Sequence, residues 1–373
     1  MEYITYKMIE ISKLNSGGDR PKIYSGTKTN ECCFPIFSNG LQDEGLYGYT
    51  NKATMPSDTI TVSARGANIG EVFYRKEDFL PIVRLITIIP DSNYVHSKYL
   101  YYYLKKVKIE GSGSAQPQIT VPFFSRHKIV IPKDVEYQKK VAYILSTYDS
   151  LIENNNKRIK LLEQMAENLY KEWFVRFRFP GYENVELNGS VPSGWQYQPI
   201  SELMIFYDSQ RVPLSSIQRD KMDKIYPYYG AAKLMDYVDD YLFDGEYLLM
   251  GEDGTVITSD GFPVLQLVNG KFWVNNHAHV IGGKDDISTR FLYLTFSRFP
   301  ITGVVTGSAQ PKISKGRLEK LKILVPEAKI MEQFNNLINP IFDEISLLKK
   351  QLIKITKQRD MLLPRLMSGK LEV

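Results

Sequence analysis

Four histidines, two adjacent cysteines and several paired carboxylates are the residues of this 373-residue chain to which the widest chemistry is open. In His277-Ala278-His279 the two imidazoles share one face if the segment is a strand, a spacing that could hold a metal ion. Neither a cysteine nor a suitably spaced third ligand accompanies them, so cross-strand packing is their expected role and no metal is expected. His96 and His127 stand alone. Cys32 and Cys33 are neighbours, which excludes a disulfide framework and a CxxC zinc pair and points to a reducing compartment, the cytoplasm. Asp239-Asp240 and Asp285-Asp286 could bind magnesium for phosphodiester cleavage, but solvation explains such loop pairs more often.

Two further kinds of catalysis have recognisable strings. ATP-driven translocation needs a phosphate loop GxxxxGK[ST]; it is absent, and Gly282-Gly283-Lys284-Asp285 reads as a turn. Methylation of a flipped adenine needs an Asn-Pro-Pro-aromatic loop. Asn339-Pro340-Ile341-Phe342 lacks the second proline and opens a heptad pattern, so it is expected to be a helix N-terminus with Pro340 in the first turn. Lys plus Arg (47) exceeds Asp plus Glu (42) by five, a balance that suits a nucleic-acid partner without establishing one.

Duplex DNA asks for cations at phosphates and for Arg or short polar side chains at base edges. The first half offers Arg20, Lys22, Lys28, Arg65, Asn68, Arg75, Lys76 and Arg84, with Ser114 and Gln116. The second offers Arg211, Arg219, Lys221, Lys224, Lys233, Ser308, Gln310 and Lys312, with Asn275 and Asn276 in an expected strand region. The aromatic runs Tyr99 to Tyr103 and Phe291 to Phe296 have helical spacing and are assigned to the core rather than to base stacking.

The elements that position these residues come in two copies. Gly113-Ser114-Ala115-Gln116-Pro117-Gln118-Ile119 returns as Gly307-Ser308-Ala309-Gln310-Pro311-Lys312-Ile313. Each copy runs on to a proline-ended strand, Lys128-Ile129-Val130-Ile131-Pro132 or Lys322-Ile323-Leu324-Val325-Pro326. Upstream, Lys98-Tyr99-Leu100 matches Arg290-Phe291-Leu292, Phe34-Pro35-Ile36-Phe37 matches Tyr226-Pro227-Tyr228-Tyr229, and Ile11-Ser12-Lys13-Leu14 matches Ile200-Ser201-Glu202-Leu203. Between these blocks the halves diverge: Ser63-Ala64-Arg65-Gly66 faces Met250-Gly251-Glu252-Asp253-Gly254 with little beyond glycine in common. A repeated frame with unlike loops suggests two unlike targets. The recurring Gly-Ser-Ala-Gln-Pro is better suited to scaffold or backbone contact than to sequence readout.

Each copy ends in a helix with apolar steps of four and three. The first seam is Tyr148, Ile152, Asn155, Ile159, Leu162, Ala166, Leu169 and Trp173. The second is Ile338, Ile341, Ile345, Leu348, Leu352, Ile355, Arg359, Leu362 and Leu366. Over more than three heptads this is coiled-coil spacing, with Asn155 and Arg359 as the polar positions that fix register and partner. At about 1.5 Å per residue, Tyr148 to Trp173 spans about 39 Å, close to one turn of B-DNA at about 34–36 Å, a length suited to holding two readers one turn apart.

Several strings resemble the specificity subunits of type I restriction-modification systems over essentially the whole chain. They are Gln138-Lys139-Lys140-Val141-Ala142 after the proline-ended strand, Leu161-Leu162-Glu163-Gln164-Met165-Ala166 running to Trp173-Phe174 and Phe179-Pro180-Gly181, Pro192-Ser193-Gly194-Trp195, and Pro364-Arg365-Leu366-Met367-Ser368-Gly369-Lys370-Leu371. The first half departs in having no counterpart of Trp195, Tyr6 standing instead. The resemblance implies a non-catalytic subunit that binds a bipartite double-stranded DNA site. Its partners would be two modification subunits and, through them, restriction subunits; S-adenosylmethionine, ATP and magnesium would reside on those partners. A stand-alone DNA-binding regulator and a fused catalytic enzyme are the alternatives, the second opposed by the missing motifs.

The expected fold is mixed α/β: two pseudo-two-fold-related target-recognition domains joined by two long helices in an antiparallel coiled coil. The expected boundaries are 1–142 for the first domain, 143–178 for the first spacer helix, 179–334 for the second domain and 335–373 for the second helix. No run approaches about 18 consecutive apolar residues, so neither membrane insertion nor secretion is expected.

Overall fold

In the computed structural model, which describes residues 2–107, 109, 111, 118–307, 310–371 and 373, the chain divides into two compact units. One comprises Met1–Asn154 with Leu352–Val373, the other Asn155–Gln351. The division falls within both long helices rather than at their ends. Each unit therefore owns part of each helix.

The first unit contains β1 (Tyr3–Lys7), α1 (Met8–Ile11), β2 (Ser12–Ser16), β3 (Phe34–Phe37), β4 (Leu46–Thr50), β5 (Thr59–Val62), β6 (Val72–Arg75), β7 (Leu80–Pro81), β8 (Ile86–Pro90), α2 (Ser97–Lys106), α3 (Val121–Ser125), β9 (Lys128–Pro132) and the start of α4 (Val135–Tyr170). A sheet ordered β2-β8-β5-β6 lies beside a second ordered β4-β3-β7, and β1 pairs antiparallel with β9. β5 is buried along its whole length, as the central strand of a covered sheet should be. Tyr99, Leu100, Tyr102 and Leu104 of α2 pack into the same core as Ile60, Val62 and Ile88, so the aromatic run is core.

The second unit opens with a small hairpin, β10 (Leu187–Asn188) and β11 (Val191–Pro192). Then follow β12 (Gln196–Pro199), α5 (Ile200–Leu203), β13 (Met204–Phe206), α6 (Ser216–Arg219), β14 (Tyr226–Tyr229), β15 (Leu234–Val238), β16 (Phe243–Gly251), β17 (Leu265–Val274), β18 (Ala278–Gly283), α7 (Thr289–Phe296), β19 (Val305–Thr306), β20 (Lys312–Ile313), α8 (Lys315–Leu318), β21 (Lys322–Val325) and α9 (Ala328–Met367). Its six-stranded sheet runs β13-β18-β16-β17-β14-β15. If the long β17 is read as β6 and β7 joined, this is the strand order of the first unit. Even the irregularities agree: β3 slips register between Ile36 and Phe37, and β14 between Tyr228 and Tyr229.

Strand register corrects two of the matches drawn from the sequence. α1 and α5 occupy the same place, so Met8–Ile11 corresponds to Ile200–Leu203, and the Ile11-Ser12-Lys13-Leu14 match is three residues out of step. Tyr3 pairs with Pro132, and Trp195 directly precedes Gln196, which pairs with Val325; Tyr3, not Tyr6, is the counterpart of Trp195. Trp195 is buried against Phe174, Phe177 and Phe179, whereas Tyr3 is half-buried.

The long helices start earlier than their heptads. α4 begins at Val135 and not 143, capped by Asp134, whose carboxylate accepts from Glu136 N–H at 2.9 Å. Its first turns lack a heptad signature because Val141, Ala142 and Leu145 pack into the domain core. α9 begins at Ala328, so Pro340 lies inside it and not at its N-terminus. The carbonyl four residues back loses its helical donor, but Asn336 is exposed and water can take that place.

Within each unit the two helices run antiparallel. In the first, Tyr137 Oη donates to Leu366 O at 3.1 Å and Arg359 donates to Asp149 at 2.8 Å. In the second, buried Asn155 donates to Gln351 at 3.4 Å, Arg158 meets Glu344 at 2.5 Å and Lys349 meets Glu163 at 3.1 Å. Ile159, Ala166, Trp173, Ile338, Ile341, Ile345, Leu348 and Leu366 are buried, and Tyr148, Ile152, Leu162, Leu169, Leu352, Ile355 and Leu362 are half-buried.

Candidate nucleic-acid interface

In the first unit, one side chain gathers the loops that carry the candidate readers. Asn39 Oδ1 accepts from Ala64 N–H at 2.8 Å and Asn39 Nδ2 donates to Val83 O at 2.7 Å, while Asn68 Nδ2 reaches Asn39 O at 3.4 Å. Three loops at one end of the sheets are thus held by one amide. They present Arg65, half-buried, Asn68 and the exposed Arg84. Among the described residues neither Arg65 nor Arg84 makes a side-chain hydrogen bond or ion pair.

The backbone under Arg84 is strained. Val83 and Arg84 sit at φ +55° and +58°, left-handed values that a β-branched residue rarely adopts. They are held there by Val83 N–H to Gly18 O at 2.8 Å and Arg84 N–H to Gly17 O at 3.0 Å. Gly17 has to be glycine, because a Cβ would lie 2.8 Å from Ile82 N. Strain of about 1–3 kcal/mol per residue persists only where surrounding bonds over-determine it, and such places are frequent at binding sites.

The other candidates of this unit are distributed differently. Arg20 is exposed, stacks 4.5 Å above the Tyr24 ring and donates to the Tyr24 and Tyr47 hydroxyls at 3.2 Å. Lys28 faces Glu77 at 3.9 Å, and Lys76 pairs with Glu153 of α4 at 2.7 Å. Arg75 is buried over the Phe37 ring, 3.7 Å away, and donates to Thr61 Oγ1; burial draws its pKa down to about 10 despite the opposing charge of Glu44. It is a core residue and cannot reach DNA. Ser114 and Gln116 lie outside the described residues.

In the second unit most of the expected cations are engaged with carboxylates. Arg211 bonds Glu252 at 2.7 Å, the Ala278 carbonyl at 2.7 Å and approaches Asp208 at 3.7 Å. Arg219 and Lys224 converge on Asp236 at 3.1 and 3.0 Å. The Tyr237 N–H, then Lys224 and Arg219, hold that carboxyl at about 2. Lys312 reaches Glu252 at 3.3 Å. Lys221, Lys233 and Gln310 are exposed, and Ser308 lies outside the described residues. Asn275 and Asn276 fall in the turn after β17 and not within a strand, with Asn275 buried.

The histidine pair divides. His279 is buried in β18, with Nδ1 2.7 Å from Asp208 Oδ2 and 3.7 Å from Glu252 Oε2, and Nε2 2.9 Å from Ile313 O. Burial raises the Asp208 pKa, but the His279 bond and charge and the Val280 N–H outweigh it and leave the carboxyl below its ordinary value. Asp208, Glu252 and His279 thus bring three ligand atoms within 4.8 Å, a grouping invisible to spacing because its members are far apart in sequence. The Arg211 guanidinium and Lys312 already supply positive charge to these carboxylates, so the cluster is a buried ionic tie. His277, by contrast, is half-exposed and bonds Asp253 through Nδ1.

This tie also shows what the repeated motif does in the second unit. Gly307 turns at φ +83°, where a Cβ would lie 2.4 Å from Gln310 O. Beyond it Pro311 O accepts from Gly254 N–H at 3.1 Å, and Ile313 N–H donates to Glu252 O at 2.8 Å. In the first unit Ile119 N–H donates likewise to Ala64 O at 3.0 Å. The segment anchors the loop after the central strand in both units. Asn39 and Val83 were not singled out from the sequence, and Asp253 stood only within the divergent string; the glycines after Arg65 and Asp253, Gly66 and Gly254, both at φ +80°, marked those loops as comparable.

A family model described as a type I restriction modification DNA specificity domain matches residues 2–164 and 192–357. The type I restriction enzyme MjaIX specificity subunit of Methanocaldococcus jannaschii is 28% identical over 344 residues, 85% of this chain and 78% of that protein. The type I restriction enzyme EcoprrI specificity subunit of Escherichia coli is 23% identical over 335 residues, 84% of this chain and 80% of that protein. A crystal structure of the S subunit of a type I restriction-modification system from M. genitalium has the same fold. Its TM-score is 0.72 at 17% identity, over 98% of this chain and 96% of that one.

Proposed function

The chain belongs to the type I restriction-modification DNA specificity family, and from that premise we propose that it reads a bipartite duplex site, one half-site per unit, and directs partner subunits to it. The observation that carries this reading is the strand order, present twice with the same register slip, while the loops around Arg65 and Asp253 differ. Two copies of one frame with unlike loops suit two unlike half-sites. α4 and α9 each continue from one unit into the other, which supports a spacer fixed by helix length.

Catalysis, on this reading, belongs to partners: two modification subunits bringing S-adenosylmethionine and, through them, restriction subunits bringing ATP and magnesium. No helix among the described residues is long and apolar enough to cross a membrane. The proposed place of work is the cytoplasm, where Cys32 and Cys33 would stay reduced.

Selection from a random duplex library by the assembled complex tests the reading. Two short specified blocks separated by a fixed unspecified gap are expected. A single continuous block, or enrichment with no sequence preference, would contradict it.

A further inference from the structure

Register links the two reading loops residue by residue. Val62 pairs with Ile86 in the first unit, and Met250 with His279 in the second. Two residues beyond Val62 and Met250, Ala64 O and Glu252 O accept the equivalent N–H groups of Ile119 and Ile313. Arg65 therefore occupies the position of Asp253, with Gly66 and Gly254 both following at φ +80°. Two residues before Ile86 and His279 stand Arg84 and His277, which are likewise equivalent. In each unit the two positions are neighbours: the Asn39 amide bridges the backbones beside Arg65 and Arg84, and His277 Nδ1 bonds Asp253 directly.

We propose that this pair of positions sets base identity in each half-site, Arg65 and Arg84 selecting guanine in one and Asp253 with His277 selecting an amino-bearing base, cytosine or adenine, in the other. The inference rests on the half-site reading above. A guanidinium offers two parallel N–H donors that match guanine N7 and O6 in the major groove; a carboxylate accepts from cytosine N4 or adenine N6. Among the described residues Arg65 and Arg84 have no internal partner, so their donors are available. Asp253 is held in place by His277, and the His277 side chain is 48% exposed. The other cations near these loops, Arg211 and Lys312, are tied to Glu252 and serve as frame.

The test is methylome sequencing of a host carrying this gene with its methyltransferase partner, as wild type and as two variants. Arg65→Lys with Arg84→Lys keeps both charges but loses the bidentate fork. The expected result is a motif relaxed at one or two guanines of one half-site, with discrimination falling about 5- to 150-fold there and the other half-site unchanged. Asp253→Asn should change the base preference of the opposite half-site alone. An unchanged motif in both variants overturns the proposal. So does uniform loss of methylation at an unchanged motif by a variant that melts like wild type, since that is the behaviour of a phosphate contact. A wild type without any bipartite motif would instead remove the half-site reading beneath it.

Discussion

Asn39→Asp changes one atom of the amide that gathers the first unit's loops. Oδ1 can keep the Ala64 N–H, but the group that donated to Val83 O over 2.7 Å becomes an acceptor facing an acceptor. Val83 is exposed and water can reach its carbonyl, so the loss is that of one net hydrogen bond, about 0.5–1.5 kcal/mol. For a unit of this size the transition should fall by about 1–6 °C at pH 7. A carboxyl facing a carbonyl has its folded pKa raised above an unfolded value of about 3.9. Its contribution is therefore fully present below that value and lost as pH rises through the folded pKa. Below pH ~4 the protonated carboxyl can again donate to Val83 O. Scanning calorimetry from pH 3.5 to 7 should show the deficit of Asn39→Asp shrinking toward acid, while that of Asn39→Ala stays constant. An Asn39→Asp protein that melts with wild type at pH 7, or whose deficit ignores pH, would refute the role given to this amide.

Other outcomes follow from the same geometry. Val83→Asn replaces a strained β-branched residue, 52% exposed, with one that tolerates φ +55°, and should raise stability by about 0.5–1 kcal/mol in denaturant unfolding. Arg290 donates to Glu246 through Nε and Nη2 and to Asp343 through Nη2, and Arg290→Ala strands Glu246 at low exposure; a loss of about 2–3 kcal/mol is expected, below that of a fully buried pair because Asp343 is exposed. Asp236, held at about 2, stabilises the fold above its unfolded pKa and stops doing so as pH falls from about 4 toward 2; Asp236→Asn should flatten the stability–pH curve in that window. Removing one heptad from α4 and a matching one from α9 should shorten the gap in the selected DNA motif and leave both specified blocks intact.

The frame was legible in the sequence because it is written twice and periodically. Phe34–Phe37 and Tyr226–Tyr229 fall in the same strand, Lys98 and Arg290 near the start of the same helix, and the heptads do mark helices. The three-residue slip at Ile11 arose because a four-residue helix turn and the strand after it both carry apolar residues at short spacing. Pro340 misled because its cost falls on an exposed carbonyl that water can satisfy. The cations misled most: Arg211 and Arg219 look free in sequence, while Glu252 and Asp236, which engage them, lie 41 and 17 residues away. The equivalence of Arg84 and His277 could not be seen, since it exists in strand register and not in residue type.

The central claim is that one chain reads two unlike half-sites on one frame and hands the site to a methylating partner. Mapping methylated bases across the genome of a host with and without this gene tests it most directly. A single bipartite motif, methylated in the gene's presence and unmethylated after its deletion, is the predicted result. Methylation that is the same with and without the gene would contradict the account.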